Sequence, residues 1–155
     1  MKPEVAITEG GEDDLAEVIA LMRRAFDPRF GEAWNLAQTL SVLAMPGSRL
    51  LLARGQRGLL GFALTRTLLD ECELMLLAVE PRARRLGIAR LLLVTMTRLA
   101  RSENVKRLHL EVRQGNNAEQ LYQSGGFLLV GHRPRYYRGP DGTMFDARTY
   151  ARELD

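Results

Sequence analysis

The sequence predicts an α/β domain on a mixed sheet, and three observations predict it. Leu74 to Val79 form a run that is apolar on both faces, the pattern of a central strand covered from both sides. A turn containing Gly87 then leads into an amphipathic helix that begins at Ile88. The elements together run β–α–α–β–β–β–α–β–α–β–β, so an antiparallel meander comes first and crossovers through helices follow. The 155 residues fit one compact domain with a sizeable core, with no linker, repeat or low-complexity tract inside it.

Each element has a local reason. Val5-Ala6-Ile7-Thr8 reads as a first strand, broken by Gly10-Gly11. Acidic Glu12-Asp13-Asp14 suits the positive end of a helix dipole, and Leu15, Val18, Ile19, Met22 and Phe26 follow on one helical face until Asp27-Pro28. Glu32 to Ala44 reads as a second, less regular helix stopped by Pro46-Gly47. Arg49–Ala53 and Gly61–Arg66 are strands around the turn Arg54-Gly55-Gln56-Arg57-Gly58. A further strand starts at Asp70-Glu71 and runs through Val79. The helix from Ile88 to Arg101 has Ile88, Leu91, Leu92, Met96 and Leu99 on its core face, widened by Leu93 and Val94. Leu108–Val112 alternates cleanly, with Leu108, Leu110 and Val112 to one side and His109, Glu111 and Arg113 to the other. Ala118, Leu121 and Tyr122 mark a short helix ended by Gly125-Gly126. Phe127–Val130 and Phe145–Tyr150 complete the strands.

Composition narrows the function. Hydrophobic residues make up 46% and charged residues 26% of the chain, with a formal net charge of +3. That excess is too mild to argue for direct nucleic-acid binding. Cys72 has no companion for a disulfide or a metal site, and His109 and His132 are far apart in sequence, so no metal is expected. The start of the chain lacks the long apolar stretch of a signal peptide, and no apolar run approaches the roughly 18 residues of a membrane span. A soluble, cytoplasmic protein is the expectation.

One segment points to an anionic ligand. Arg84-Arg85-Leu86-Gly87-Ile88-Ala89 joins the Leu74–Val79 strand to a helix N-terminus, where backbone N–H groups lack internal partners and carry positive partial charge. Gly87 lets an anion approach the backbone, Ala89 is small, and the arginines add charge. Neither Gly-x-x-x-x-Gly-Lys-Ser/Thr nor Gly-x-Gly-x-x-Gly is present, so a P-loop or dinucleotide fold is not expected. The segment alone is equally compatible with a plain loop glycine and solvated arginines.

The same six residues resemble the Gln/Arg-x-x-Gly-x-Gly/Ala signature of the GNAT superfamily of N-acetyltransferases. Leu110-Glu111-Val112-Arg113, Asn116, Leu121-Tyr122 and Gly126-Phe127 add matches in the family's order, from about Leu74 to Phe127. With Tyr136-Tyr137 and Asp146-Ala147, the chain most resembles the bacterial ribosomal-protein-alanine, or RimI-like, group. The resemblance implies a mostly antiparallel sheet of about six or seven strands, splayed at the cofactor site, with about four helices over both faces. It implies acetyl-CoA as co-substrate and the N-terminal α-amine of a protein or peptide as acceptor, with a ribosomal protein as candidate partner. Leu77, Ala78 and Val79 would line the pantetheine arm. Arg84, Arg85, Leu86, Gly87, Ile88 and Ala89 would hold the pyrophosphate, and Asn116 would bond the cofactor. Glu111 would be the general base and Tyr122 the general acid. Ala89 replaces the commoner final glycine. Asn116 to Tyr122 is one residue shorter than the usual spacing, so Asn117 competes for the asparagine role. Gly125 stands where leucine is commoner, and Arg148-Thr149-Tyr150 is more polar than the usual ending.

The chemistry is consistent with these groups. A protein α-amine titrates at about 7.7–8.0, against about 10.4 for lysine, so one carboxylate suffices to free it. A thiolate leaving group of pKa about 8.5 needs only a weak acid such as a tyrosine. Glu111 is also readable as a surface glutamate paired with Arg113 or His109, and Tyr122 as a core aromatic. On the acceptor side, Tyr136 and Tyr137, placed between the last two strands, and Trp34 with Phe30 opposite, are candidate groove walls, packing being the alternative for each. Arg133, Arg135 and Arg138 form a basic rim or a solvated surface. Two other functions stay open: acetylation of a small-molecule amine, and a non-catalytic acyl-CoA-binding module.

Overall fold

Strands and helices alternate along residues 4–155, the part of the chain that the computed structural model describes. Strand β1 (Ala6–Gly10) leads through a 3₁₀ turn into α1 (Leu15–Ala25), and the Asp14 carboxylate accepts the Gly11 N–H at 2.9 Å to fix that entry. After α1 a second 3₁₀ turn, Pro28–Phe30, is capped by Asp27, whose carboxylate accepts the Arg29 N–H at 2.9 Å. Helix α2 covers only Leu36–Leu43, not the expected Glu32–Ala44. Asn35 and Gln38 exchange side-chain to backbone hydrogen bonds of 2.8 and 2.9 Å, and this reciprocal cap fixes the helix start. Residues 31–35 are left without regular secondary structure.

Strands β2 (Ser48–Gly55), β3 (Gly58–Leu68) and β4 (Glu71–Val79) form the expected meander, each longer than its apolar stretch. Then come α3 (Ile88–Ser102), β5 (Arg107–Arg113), α4 (Ala118–Ser124), β6 (Leu128–Arg138) and β7 (Met144–Glu153). They build one seven-stranded sheet of order β1-β2-β3-β4-β5-β7-β6. All neighbours are antiparallel except β4 and β5. The predicted α/β class with a mixed, mostly antiparallel sheet is what forms.

The β4–β5 junction shapes the site. The two strands pair only from Glu71–Leu74 to Arg107–Leu110, and beyond that they part. A bulge marks the spot: Leu64 of β3 pairs with Leu76 and Thr65 with Leu74, so Met75 is the extra residue. The bulge also switches the faces of β4. Cys72 and Leu74 join the apolar cluster under α3 and α4, whereas Leu76 and Ala78 join the cluster under α1 and α2. Leu77 and Val79 pack back towards α3. A regular strand would have kept Leu74, Leu76 and Ala78 on one face.

The two apolar clusters lie on opposite faces of the sheet. One joins α1 (Leu15, Val18, Met22) to Phe62 and Leu64, and the other joins α3 (Leu92, Met96) to Leu108, Leu110, Phe127 and Tyr150. Strand β6 runs on to Arg138, so Tyr136 and Tyr137 sit on a strand and not between the last two, as the sequence suggested. Its apolar stretch ends early, and its second half is carried by a large bulge. Arg133 pairs with Ala147 and Tyr137 with Phe145, which leaves Pro134 to Tyr136 looped out. Asp146 holds that loop by accepting the Arg135 N–H at 2.9 Å. An edge strand tolerates the proline because its N–H is not needed there. Among the described residues no helix is long and apolar enough to cross a membrane.

Candidate active site

The parting of β4 and β5 leaves a gap between Met75–Val79 on one side and Glu111–Arg113 on the other. Beyond Leu74, β4 is paired only with β3, so the backbone of Leu77, Ala78 and Val79 presents an unpaired edge to the gap. An extended ligand arm that carries amides finds donors and acceptors there, as an added strand would.

At the mouth of the gap stands the N-terminus of α3. Its cap residue, Gly87, has φ +81° and no side-chain cap, and the first turn carries no acidic residue. The first helical bond is Leu91 N–H to Gly87 C=O at 3.0 Å, so the N–H groups of Ile88, Ala89 and Arg90 have no intrahelical partner. A Cβ added to Gly87 would meet nothing within 4 Å, so this glycine serves its left-handed conformation and leaves the approach open. Arg85 and Leu86 are exposed beside it. Arg84 is placed differently: its guanidinium donates to the Ala25 carbonyl at 3.0 Å, on the last turn of α1. Among the described residues only Arg85 of the two keeps a guanidinium without a protein partner.

Glu111 and Tyr122 flank the gap from opposite faces of the sheet. Glu111 points away from Leu110 and Val112, as the alternation predicts. Its partners are neither Arg113 nor His109: the Thr149 hydroxyl donates to one oxygen, and Arg133 Nε lies 3.1 Å from the other. Tyr122 comes from α4 on the other face. Its ring is core, edge-on to Phe127 at 6.0 Å and tilted to Tyr150 at 6.4 Å. Its hydroxyl has no hydrogen-bond partner among the described residues and is not wholly enclosed. The tyrosine is thus both a core residue and a candidate acid. Burial, with a smaller push from the Glu32 carboxylate, raises its pKa far above the ordinary 10.0. It stays a protonated donor at neutral pH.

Tyr137 is the residue around which the site gathers. It is half-buried, its hydroxyl donates to the Glu111 carbonyl at 3.4 Å, and its ring meets Tyr136 edge-on at 5.0 Å. Burial raises its pKa first, and the neighbouring Glu32, Tyr136, Glu111 and Tyr122 add to that. Tyr136 is 47% exposed, with the Arg133 guanidinium 5.7 Å from its ring centroid. Trp34, by contrast, packs against the α1 cluster, and its backbone N–H meets Met22 Sδ at 3.1 Å. It supports the wall more than it lines it.

Asn116 and Asn117 separate clearly. Asn117 is exposed, whereas the Asn116 side-chain Oδ1 accepts the Ala118 N–H at 2.9 Å just ahead of α4. The Asn116 amide donates to Glu32 at 3.0 Å, and Arg113 Nε donates to the same carboxylate at 3.1 Å. Sequence reasoning missed Glu32 and Thr149 altogether. Glu32 lies 81 and 84 residues from its two partners, and no local pattern signals such a contact.

Known proteins share this fold. Residues 21–142 match the family described as acetyltransferase (GNAT) domain. The chain belongs to this family of acetyltransferases, as the resemblance in its phosphate loop implied. Within the family it is 36% identical over 138 residues to the N-alpha-acetyltransferase RimI of Mycobacterium tuberculosis, 86% of this chain and 82% of that protein. It is 40% identical over 93 residues to a ribosomal protein bS18-alanine N-acetyltransferase of Haemophilus ducreyi, and this match spans 59% of the chain but only 64% of that relative. The crystal structure of the ribosomal-protein-S18-alanine N-acetyltransferase from Escherichia coli superposes with a TM-score of 0.86 at 28% identity, covering 98% of this chain and 95% of that one. Acetyltransferases of this family use acetyl-CoA.

Proposed function

We propose that the protein transfers the acetyl group of acetyl-CoA to the N-terminal α-amine of a protein, by direct attack of the amine on the thioester. The observation that carries this reading is the β4–β5 gap, with an uncapped helix N-terminus at its mouth and Glu111 and Tyr122 on its two sides. Gly87, Ile88 and Ala89 offer backbone N–H groups to the pyrophosphate, with Arg85 beside them, while Arg84 and Leu86 complete the loop. Leu77, Ala78 and Val79 offer the pantetheine arm a strand edge. Asn116 stands at the far side of the gap. Glu111 takes a proton from the acceptor, directly or through a water, and Tyr122 gives one to the departing thiolate. The likeness to the mycobacterial enzyme supports an α-amine acceptor, and that to the Escherichia coli enzyme supports an alanine terminus of a ribosomal protein; a cytoplasmic location goes with that acceptor.

The acceptor side supports a chain end. The 3₁₀ turn at Pro28–Phe30 and the start of the β6–β7 hairpin touch backbone to backbone. A Cβ on Gly31 would lie 1.9 Å from the Arg138 carbonyl oxygen, and one on Gly139 would lie 2.3 Å from that of Arg29. Phe30 meets Phe145 edge-on at 5.0 Å beneath this bridge. A free N-terminus can approach end-on past such a bridge more easily than a residue in mid-chain. The α-amine is also the easier nucleophile, at a pKa of about 7.7–8.0.

A peptide array with varied first residues, assayed with acetyl-CoA, tests the reading. Acetylation of Ala- or Ser-initiated peptides at the α-amine is the expected result. Activity on small amines alone would replace the acceptor, and acetyl-CoA binding without turnover on any amine would sink the catalytic reading.

A further inference from the structure

The acceptor side holds a second carboxylate that acetyl transfer itself does not use. Glu32 lies in the segment before α2, and its two oxygens are each bonded, one to Arg113 Nε and the other to the Asn116 amide. The Glu32 and Arg113 side chains are 10% and 13% exposed. The Arg113 guanidinium also stacks 3.6 Å from the centre of the Phe30 ring, which in turn rests on Phe145. One carboxylate therefore fastens the segment after α1 to the end of β5 and to Asn116 at the entry to α4. An exposed ion pair would do little of this. A buried one matters more, because removing the carboxylate leaves the Arg113 charge uncompensated. Glu32 is also close enough to Tyr122 and Tyr137 to raise both phenols.

We propose that Glu32 is a positioning residue for the acceptor, holding the segment from Phe30 to Asn35 against β5 as the acceptor-side wall of the gap. The proposal rests on the acetyl-transfer reading. Glu32 is held by Arg113, whose side chain is 13% exposed, where Glu111 is met by Arg133 at 61%, so the Glu32 partner is not readily displaced and its role is to hold the segment rather than to move a proton. It acts through Arg113 and Asn116 on where the acceptor sits.

Steady-state kinetics of Glu32→Gln with an Ala-initiated peptide test this. Glutamine keeps an oxygen for Arg113 but sets an amide N–H against the Asn116 amide. The peptide KM is expected to rise about tenfold, the scale of one lost charged hydrogen bond. The kcat and the acetyl-CoA KM are expected to stay within about twofold, the pattern of lost uniform binding. The double variant E32Q/N116D gives the glutamine amide a carboxylate to bond and is expected to restore the peptide KM. Phe30→Leu, which removes the stack under Arg113, is expected to raise it as well. Active wild-type protein with an unchanged peptide KM in both E32Q and F30L overturns the proposal alone. So does an equal loss against both substrates that the double variant fails to rescue. Wild-type protein inactive on every peptide overturns the acetyl-transfer reading, and this proposal with it.

Discussion

The Glu111 carboxylate has one fixed partner and one movable partner. Thr149 holds one oxygen from the neighbouring strand, whereas Arg133 reaches the other with a side chain that is 61% exposed. A pair with one partner this exposed is worth about 0–1 kcal/mol, so under the proposed mechanism an incoming amine would displace Arg133 at little cost. Glu111→Gln is expected to lower kcat/KM by about 10²–10⁴-fold, the range for a lost general base. Arg133→Gln is expected to change it by less than about tenfold. Steady-state assays of the two variants check both. Tyr122→Phe is expected to lower kcat while acetyl-CoA binding, read by calorimetry, is kept. The raised phenols of Tyr122 and Tyr137 also predict a pH effect on stability. Above about pH 10 the unfolded chain ionises its tyrosines first, so their contribution is complete below that pH and is lost as pH rises toward the folded-state values. Chemical denaturation between pH 8 and pH 11 is expected to show a steeper alkaline loss in the wild type than in Tyr122→Phe.

At the scale of elements, the Met75 bulge and the Gly87 cap decide where the proposed ligand site lies. Gly87→Ala forces a side chain onto φ +81°, a conformation that costs a non-glycine residue about 1–2 kcal/mol. Weaker acetyl-CoA binding and a lower denaturation midpoint are expected together. The phosphate loop, α3 and the Glu111 strand were legible in the sequence because their signals are local: a glycine before a helical period, and a clean alternation. The start of α2 was not, because the apolar residues Trp34 and Leu36 continue across the Asn35 cap. The length of β6 was hidden for another reason. Its second half is polar, carries Pro134 and depends on Asp146 from β7, a contact across the hairpin that hydrophobic periodicity does not register. Glu32 escaped in the same way.

The whole molecule stores its stability in two apolar layers, one on each side of the sheet. Phe62 is fully buried under α1 and Phe127 lies under α3, each at most 2% exposed. Truncating either to alanine is expected to cost about 3–5 kcal/mol. Urea unfolding read by fluorescence and by circular dichroism is expected to show both losses in a single transition, since the sheet is common to both layers. The antiparallel meander and the helical crossovers were readable from the order of elements. The exchange of β6 and β7 at the sheet edge, which places β7 beside β5, was not, because strand order is set by pairings far apart in the chain.

Seen mechanically, the β4–β5 junction is a seam. Among the described residues four pairs, Glu71–Leu74 with Arg107–Leu110, are the only ladder that joins the β1–β4 ribbon to the β5–β7 ribbon. A ligand arm lying in the gap would supply the missing rungs and act as a rivet between the two ribbons. Amide hydrogen exchange at Met75–Val79 should therefore slow when acetyl-CoA is bound, and the ribbons should come apart less readily under force. The opening proposed to admit the donor is also the place where the empty sheet is easiest to unzip.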